Sequence, residues 1–124
     1  MSRPAFSWSH LALIAAGGAV GTALRAGIVV LEDPTWAWLS IPLINITGAF
    51  ALGLVVGLST RSGDTERSRS LRQFFGAGVC GGFTTYSTFA VQSVDPFSLL
   101  IALATVVTGT VAAWAGLLLG RPRT

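Results

Sequence analysis

Charged residues make up only 10% of this 124-residue chain, whereas soluble domains average about 25%. Hydrophobic residues account for 52% of the sequence, and the mean hydropathy is +0.69. Five acids and eight arginines cannot solvate the four long apolar runs of this chain in one soluble domain. The composition therefore indicates an integral membrane protein.

Residues that commonly bind metals or catalyse reactions are equally scarce. The single cysteine, Cys80, excludes an intrachain disulfide and a cysteine-based metal site, and His10 has no companion ligand. Lysine is absent, and the arginines flank apolar runs instead of alternating with exposed aromatics, which argues against nucleic-acid binding. An intramembrane enzyme is disfavoured because Ser87 has no nearby histidine in the sequence to activate it.

Each of the four apolar runs is long enough for a transmembrane helix, which needs about 20 residues. We expect one all-α membrane domain over residues 1–124, with spans at about 8–31, 36–58, 73–94 and 97–119. The first run is longer than the apolar part of a signal peptide, so we expect it to be retained. The longest polar stretch, residues 59–72, is expected to be the loop between the second and third spans.

Loop charges predict the orientation of the chain in the cell membrane. Four spans place both termini and the 59–72 stretch on one side. Seven of the eight arginines lie on that side: Arg3, Arg61, Arg67, Arg69, Arg72, Arg121 and Arg123. The opposite side carries Glu32, Asp33 and Asp95 and no arginine outside the spans. The positive-inside rule therefore predicts that both termini are cytoplasmic.

Polar side chains inside the predicted spans are neutral apart from Arg25. They are Asn45, Thr47, the hydroxyl-bearing run 84–88, Thr105, Thr108 and Thr110. Because the spans contain no aspartate or glutamate, a proton-coupled exporter of cations or drugs is disfavoured, and neutral hydrogen-bond donors suit an anion. Arg25 has two interpretations: it snorkels to the outer interface, or it supplies positive potential at a pore entrance.

The third span contains a predicted break. Gly81 and Gly82 precede five consecutive hydroxyl-bearing residues, and such a sequence is a poor helix interior. Backbone groups freed inside a membrane must be satisfied by protein or water, and freed carbonyls can coordinate a small cation. Tyr86 and Phe89 would share a helix face, and their ring edges carry partial positive charge that suits an anion. The alternative is a scaffold without transport function, in which glycines and hydroxyls only pack helices. In either case we expect Cys80 to be a small buried packing residue.

Three motifs resemble the Fluc/CrcB family of fluoride channels. They are GGAVGTALR at residues 17–25, LINITG at 43–48 and CGGFTTYSTF at 80–89. Because the motifs fall in three helices in the family's order, the resemblance covers essentially the whole chain.

This resemblance implies an antiparallel, dual-topology-type dimer of four-helix subunits that exports cytoplasmic fluoride passively through two pores. It also implies a structural sodium ion (Na+) at the dimer centre, held by the backbone carbonyls of Gly81 and Thr84. The implied pore residues are Asn45 as an amide donor, Tyr86 and Phe89 as aromatic rings, and Ser87, Thr88 and Thr105 as hydroxyls. Arg25 is the expected charge of the pore vestibule.

Two positions depart from the family pattern. Tyr86 stands where the family has its first pore phenylalanine, so it keeps a ring edge but adds a hydroxyl that either lines the pore or turns aside. When Gly109 is aligned with the family's helix-four glycine, Ile101 occupies the position of a pore tyrosine. Thr105 then takes the next polar position, with Thr108 as the alternative.

The charge bias leaves two assemblies open. A homodimer requires one chain to insert in both orientations, which a weak loop-charge bias would favour. Seven arginines on one side argue instead for a fixed topology. The family includes pairs of homologous chains that insert oppositely, so the expected partner is a second copy or an oppositely oriented homologue.

Overall fold

A computed structural model describes residues 6–92 and 94–123, and the described residues form helices and turns with no β-strand among them. Arg3, one of the predicted cytoplasmic arginines, lies outside the described residues. The elements are α1 (Trp8–Leu31), a short 3-10 helix (Pro34–Trp36), α2 (Ala37–Arg61), α3 (Glu66–Leu71), a π-helix (Arg72–Cys80), α4 (Gly81–Phe83), α5 (Tyr86–Gln92) and α6 (Pro96–Gly120). Residues 66–83 are helical without a gap, and we call them the third helical run.

Polar side chains determine where the helices begin. The Ser7 hydroxyl accepts a hydrogen bond from the backbone N–H of His10, and Thr65 accepts one from Ser68 at the start of α3. Asp95 accepts two hydrogen bonds, from the backbone N–H groups of Ser98 and Phe97, each at 3.1 Å. These hydrogen bonds hold the pKa of the Asp95 carboxyl below its usual range. Each cap satisfies backbone N–H groups that have no partner within the helix.

The polar stretch 59–72 is not the long loop that the sequence predicts. α2 continues to Arg61 and α3 begins at Glu66, so the turn is only residues 62–65, and the third helix starts well before residue 73. Arg61 remains helical because its guanidinium donates to the Gly120 carbonyl at 2.6 Å, where α6 ends. Hydrophobicity set the predicted limits of the spans, whereas these polar contacts determine where the helices end.

The helices pack as two parallel pairs, α1 with the third helical run and α2 with α6, and α2 also contacts the third run. A methyl group added at Gly21 would overlap the carbonyl oxygen of Val79, and one at Gly53 would overlap that of Ala113. These glycines therefore let neighbouring helix backbones approach closely. The glycines whose added Cβ would overlap a neighbour are Gly17, Gly21, Gly48, Gly53, Gly57, Gly78, Gly82, Gly116 and Gly120.

The start of α1, the 62–65 turn and the end of α6 lie at the same end of the bundle. His10 Nε2 lies 2.8 Å from Glu66 Oε1, and Arg61 contacts the α6 terminus. The turn between α1 and α2 and the start of α6 lie at the opposite end. The chain therefore places its arginine-rich ends together, and their cytoplasmic location remains a prediction.

The outside of the bundle is covered by large apolar side chains, of which Leu31 is 86% exposed. Among the described residues, the buried hydrophobic side chains are only Ile41, Ile44, Cys80 and Ala102. An apolar exterior around so small a core is typical of a chain surrounded by lipid or by a partner. Three helical segments are long and apolar enough to cross a membrane: Trp8–Leu31, Pro34–Arg61 and Pro96–Gly120. The interrupted segment between them remains a predicted fourth span.

Candidate functional site

The third helical run ends in an interruption at Thr84 and Thr85. Thr84 leaves helical geometry, with φ −74° and ψ 158°, and α5 begins at Tyr86. The backbone N–H and the hydroxyl of Thr84 both donate to the Cys80 carbonyl at 3.0 Å, which completes the last helical turn. The predicted break therefore lies at the first two threonines, while Gly81 and Gly82 remain helical.

A π-helix precedes this interruption, and the sequence analysis did not predict it. At its end the Gly81 N–H donates to the Gly76 carbonyl, five residues back. π-helical turns are rare and occur frequently at functional sites. Gly78 of this segment lies against Gly17 of α1, whereas Gly76 faces the α2 side chains Leu52 and Val55.

The Asn45 side chain joins α2 to the interruption through two hydrogen bonds. Thr85 N–H donates to Asn45 Oδ1 at 2.9 Å, and Asn45 Nδ2 donates to the Thr85 carbonyl at 3.2 Å. Thr85 is 7% exposed, so water cannot readily serve its backbone groups. The amide of Asn45 therefore satisfies both polar groups of one residue where the helix cannot.

The Thr85 hydroxyl caps the start of α5. It accepts a hydrogen bond from the Thr88 backbone N–H at 3.4 Å and lies 3.3 Å from the Thr88 hydroxyl and 3.4 Å from that of Ser87. Ser87 and Thr88 themselves are exposed on the surface of the chain. The hydroxyl-bearing run thus forms one buried cap and two outward-facing polar groups.

Two cavities adjoin at Phe89 and Thr105. The larger one, of about 410 Å³, lies beside the interruption, and we call it the Asn45 cavity. Its polar lining is Asn45, Thr84, Thr85, Tyr86, Thr105 and Thr110. The smaller one, of about 200 Å³, is lined by Trp38, Pro42, Phe97, Ser98, Ile101 and Ala102 as well as by the two shared residues. The structure thus gathers four of the predicted pore residues, Asn45, Tyr86, Phe89 and Thr105, around one space.

Hydroxyls in α6 bond to their own helix. Thr105 donates to the Ile101 carbonyl at 2.7 Å, and Thr108 and Thr110 donate to carbonyls four residues back at the same distance. Thr105 is 6% exposed and lines both cavities, whereas Thr108 is exposed and lines neither. The geometry favours Thr105 over the alternative Thr108.

Two of the predicted site residues lie on the outside of the chain. Tyr86 is 83% exposed even though it borders the Asn45 cavity. Gly81 is exposed with open space around it. The Thr85 N–H would reach the Gly81 carbonyl in a continuous helix but bonds to Asn45 instead, so this carbonyl loses its helical donor.

Arg25 lies apart from the Asn45 cavity. It lines a third cavity of about 310 Å³, here called the Arg25 cavity, together with Ala26, Val29, Glu32, Ile41, Ser87 and Thr88. The predicted site residues are therefore divided between two cavities on either side of α5 and the open face near Gly81.

Comparison with known proteins decides the family. Residues 12–117 match the family model described as CrcB-like protein, Camphor Resistance (CrcB). The chain belongs to the CrcB-like family.

Curated relatives of this CrcB-like chain carry a common name. It is 43% identical to a protein of Leifsonia xyli subsp. xyli named fluoride-specific ion channel FluC 2, over 87% of the chain and 81% of that relative. Proteins of Agrobacterium fabrum and Deinococcus radiodurans, both named fluoride-specific ion channel FluC, are 37% identical to it. These matches cover 90% and 97% of this chain, and 96% and 98% of the respective relatives. The resemblance found in the three motifs is thus confirmed.

Sequence reasoning assigned no site role to Glu32 of this CrcB-like chain. Glu32 was counted only as a charge between the first two spans, but it lines the Arg25 cavity. Its spacing of seven residues from Arg25, which places both on one helix face, was the available signal.

Proposed function

We propose that this chain is a subunit of a fluoride-selective channel that exports cytoplasmic fluoride passively down its electrochemical gradient. Membership of the CrcB-like family and the names of the curated relatives support this function. The observation that carries it is the convergence of Asn45, the interruption, Phe89 and Thr105 on one cavity.

The neutral donors of this cavity suit fluoride, which is small and strongly hydrated. A pore must replace the water of the ion with several donors and still release it. Asn45 Nδ2 has a second hydrogen beyond the one that it gives to Thr85. The ring edges of Tyr86 and Phe89 add weak positive potential, and the Thr105 hydroxyl can rotate from its helix carbonyl toward an ion. This set binds an anion without a fixed charge that would trap it.

Passive flux is sufficient for export. The weak acid HF crosses the membrane from an acidic exterior and dissociates in the neutral cytoplasm. Fluoride then leaves through the channel down its own gradient. The four predicted spans carry no aspartate or glutamate, so no carboxylate is available there to exchange protons.

An antiparallel dimer with two pores completes the pathway in this proposal. Several groups that the pathway needs lie at the surface of one chain, among them Tyr86, Ser87 and Thr88. A large apolar exterior is available to cover them with a second subunit. We place the complex in the cell membrane with cytoplasmic termini for this chain.

The residues near the interruption fit a sodium site at the dimer centre. The Gly81 carbonyl lacks its helical donor, Gly81 itself is exposed, and Thr84 ends the helix in an extended conformation. Hard cations take neutral oxygens of this kind, but two carbonyls are too few, so a second subunit would have to supply the others. A bound sodium ion would contribute positive charge that holds the two interruptions together.

The arginine distribution favours a partner of opposite orientation. Arg61, Arg69, Arg72 and Arg121 share one end of the bundle with the remaining described loop arginines. This bias fixes the topology of one chain, so an oppositely inserted homologue is the natural second subunit. A second copy of this chain is the other candidate.

The proposal is tested by measuring fluoride efflux from liposomes that contain the purified chain, with chloride efflux as the selectivity control. We expect fast fluoride efflux from the chain alone or from the chain reconstituted with its oppositely oriented homologue. Asn45→Ala should lower fluoride efflux, whereas its matched control Thr47→Ala should not. Thr47 is exposed, lines neither cavity and bonds only to its own helix. A scaffold would show no selective flux in any of these samples, and that result would overturn the proposed function.

A further inference from the structure

The Arg25 cavity contains two opposite charges, Arg25 on α1 and Glu32 directly after the last residue of that helix. Arg25 and Glu32 are separated by seven residues, which corresponds to two helical turns and a rise of about 10 Å. The opposite wall is formed by Ser87 and Thr88, which belong to the proposed pathway. The cavity therefore leads from the end of α1 toward the hydroxyls of α5.

Glu32 is distinguished by an unsatisfied carboxylate oxygen. Among the residues that the structure describes, Glu32 Oε2 is the one buried side-chain oxygen or nitrogen without a hydrogen-bond partner. A buried carboxylate oxygen without a donor is costly, so the cavity must supply donors to it. About 310 Å³ accommodates several water molecules, and we therefore treat the cavity as a hydrated vestibule.

The two charges do not neutralise each other by direct contact. The ion pairs within 4.0 Å among the described residues are His10–Glu66, Arg69–Asp64 and Arg72–Asp64, and none involves Arg25 or Glu32. Both groups therefore act on the interior of the cavity, where Arg25 attracts an anion and Glu32 repels it. Such a balance prevents an anion from binding tightly next to the arginine, which would slow conduction.

We propose that Glu32 is a rate-determining electrostatic residue of the anion pathway, where it offsets Arg25 and keeps fluoride weakly bound in the Arg25 cavity. This inference rests on the proposed channel function. It assigns to Glu32 the control of how often an anion occupies this end of the pathway.

The test compares Glu32→Gln with Asp33→Asn in fluoride efflux from liposomes at low fluoride concentration, where ion entry limits the rate. Each variant removes one negative charge, but Asp33 is exposed, bonds to Thr35 and does not line the cavity. We expect Glu32→Gln to raise the initial rate about two- to fivefold at low ionic strength, since the removed charge acts over about 10 Å across a narrow vestibule whose water screens it only in part. The increase should shrink in about 0.5 M salt, and Asp33→Asn should stay close to the unaltered chain.

A second measurement varies the charge after folding. Glu32→Cys is reconstituted and then treated with a cationic or an anionic thiol reagent. The cationic adduct should conduct fluoride faster than the anionic adduct. The unaltered chain is the control for the reagents, because its single cysteine, Cys80, is 7% exposed.

Two results would overturn the inference while leaving the channel function intact. One is equal efflux from Glu32→Gln and Asp33→Asn when the unaltered chain conducts, and the other is equal efflux from the two adducts. Absence of selective efflux from the unaltered chain, alone and with its homologue, would instead overturn the proposed function and this inference with it.

Discussion

At the residue scale, the amide of Asn45 has one structural task and, in the proposed channel, a second task as an ion donor. Its oxygen and one nitrogen hydrogen hold Thr85, and its second hydrogen is available to an ion. We expect Asn45→Ala to lower the free energy of unfolding by about 1–3 kcal/mol for each Thr85 backbone group left unpaired. Chemical unfolding in detergent measures this loss.

Asn45→Asp tests the second of these tasks. The carboxylate still accepts from Thr85 N–H, but its other oxygen faces the Thr85 carbonyl and repels it, so we expect a loss of stability no smaller than for alanine. Fluoride efflux should fall more than about tenfold, because a negative charge in the Asn45 cavity repels the ion. Normal efflux from Asn45→Asp would show that this side chain does not border the ion path.

Thr105→Val tests the hydroxyl that both cavities share. Its present hydrogen bond is to its own helix, so the free energy of unfolding should change by less than about 1 kcal/mol. Fluoride efflux should fall about tenfold, which corresponds to about 1.4 kcal/mol and is near the value of one hydrogen bond to a charge. Thr108→Val is the control, and an equal loss in both variants would contradict the assignment.

The residue types of the site could be predicted from the sequence, but their hydrogen bonds could not. The motif around Asn45 and the hydroxyl-bearing run indicated polar groups within apolar helices. The sequence did not reveal that Asn45 bonds to the Thr85 backbone, because residues 40 positions apart meet only through packing of α2 against the interruption. Glu32 was missed although its spacing from Arg25 was available, because only the fold places it in one cavity with Ser87 and Thr88.

At the scale of elements, the helices of each pair contact each other backbone to backbone at glycines. Gly21→Ala should lower the free energy of unfolding by about 1–3 kcal/mol, because the added methyl group overlaps the Val79 carbonyl oxygen and the two backbones must separate. Gly27→Ala, on the same helix, should be neutral or stabilising by up to about 1 kcal/mol, since no atom lies within 4 Å of the added group. Equal losses in both would mean that backbone contact is not the cause.

The 62–65 turn carries a pH-dependent contact. Asp64 accepts hydrogen bonds from Arg69 Nε at 2.9 Å and Nη2 at 2.7 Å, and this pairing lowers the pKa of the Asp64 carboxyl. Because the folded pKa lies below the unfolded value, the stabilisation is present above the unfolded pKa and is lost as pH falls through the folded one. Near about pH 7 the unaltered chain should melt at a higher temperature than Asp64→Asn, and near about pH 2 the two melting temperatures should converge.

Apolar length predicted the positions of the long helices well. α1 and α6 follow the predicted runs closely, because each helix is apolar throughout and begins at a polar cap. The extension of α2 to Arg61 and the early start of α3 depend on side-chain contacts with α6 and within the turn. Apolar length alone cannot reveal contacts of this kind.

At the scale of the whole molecule, the charge bias predicts one orientation. A reporter fused to the C-terminus of the full chain should be found only on the cytoplasmic side of the cell membrane. Replacing Arg67, Arg69 and Arg72 with glutamine should let part of the population insert the other way. Detection of the unaltered fusion on both sides would contradict a fixed topology and favour a homodimer.

The order in which the chain is made has a consequence for its assembly. α1 and the third helical run are available to pack as soon as residue 83 has been synthesised, but Gly53 and Gly57 of α2 have no partner until α6 follows. The Arg61 guanidinium likewise has no acceptor there until the carbonyls of Leu119 and Gly120 are made, 58 and 59 residues later. α1 and the third helical run can therefore pack before α6 is made, whereas α2 must wait for α6, and loss of α6 would leave α2 without this partner.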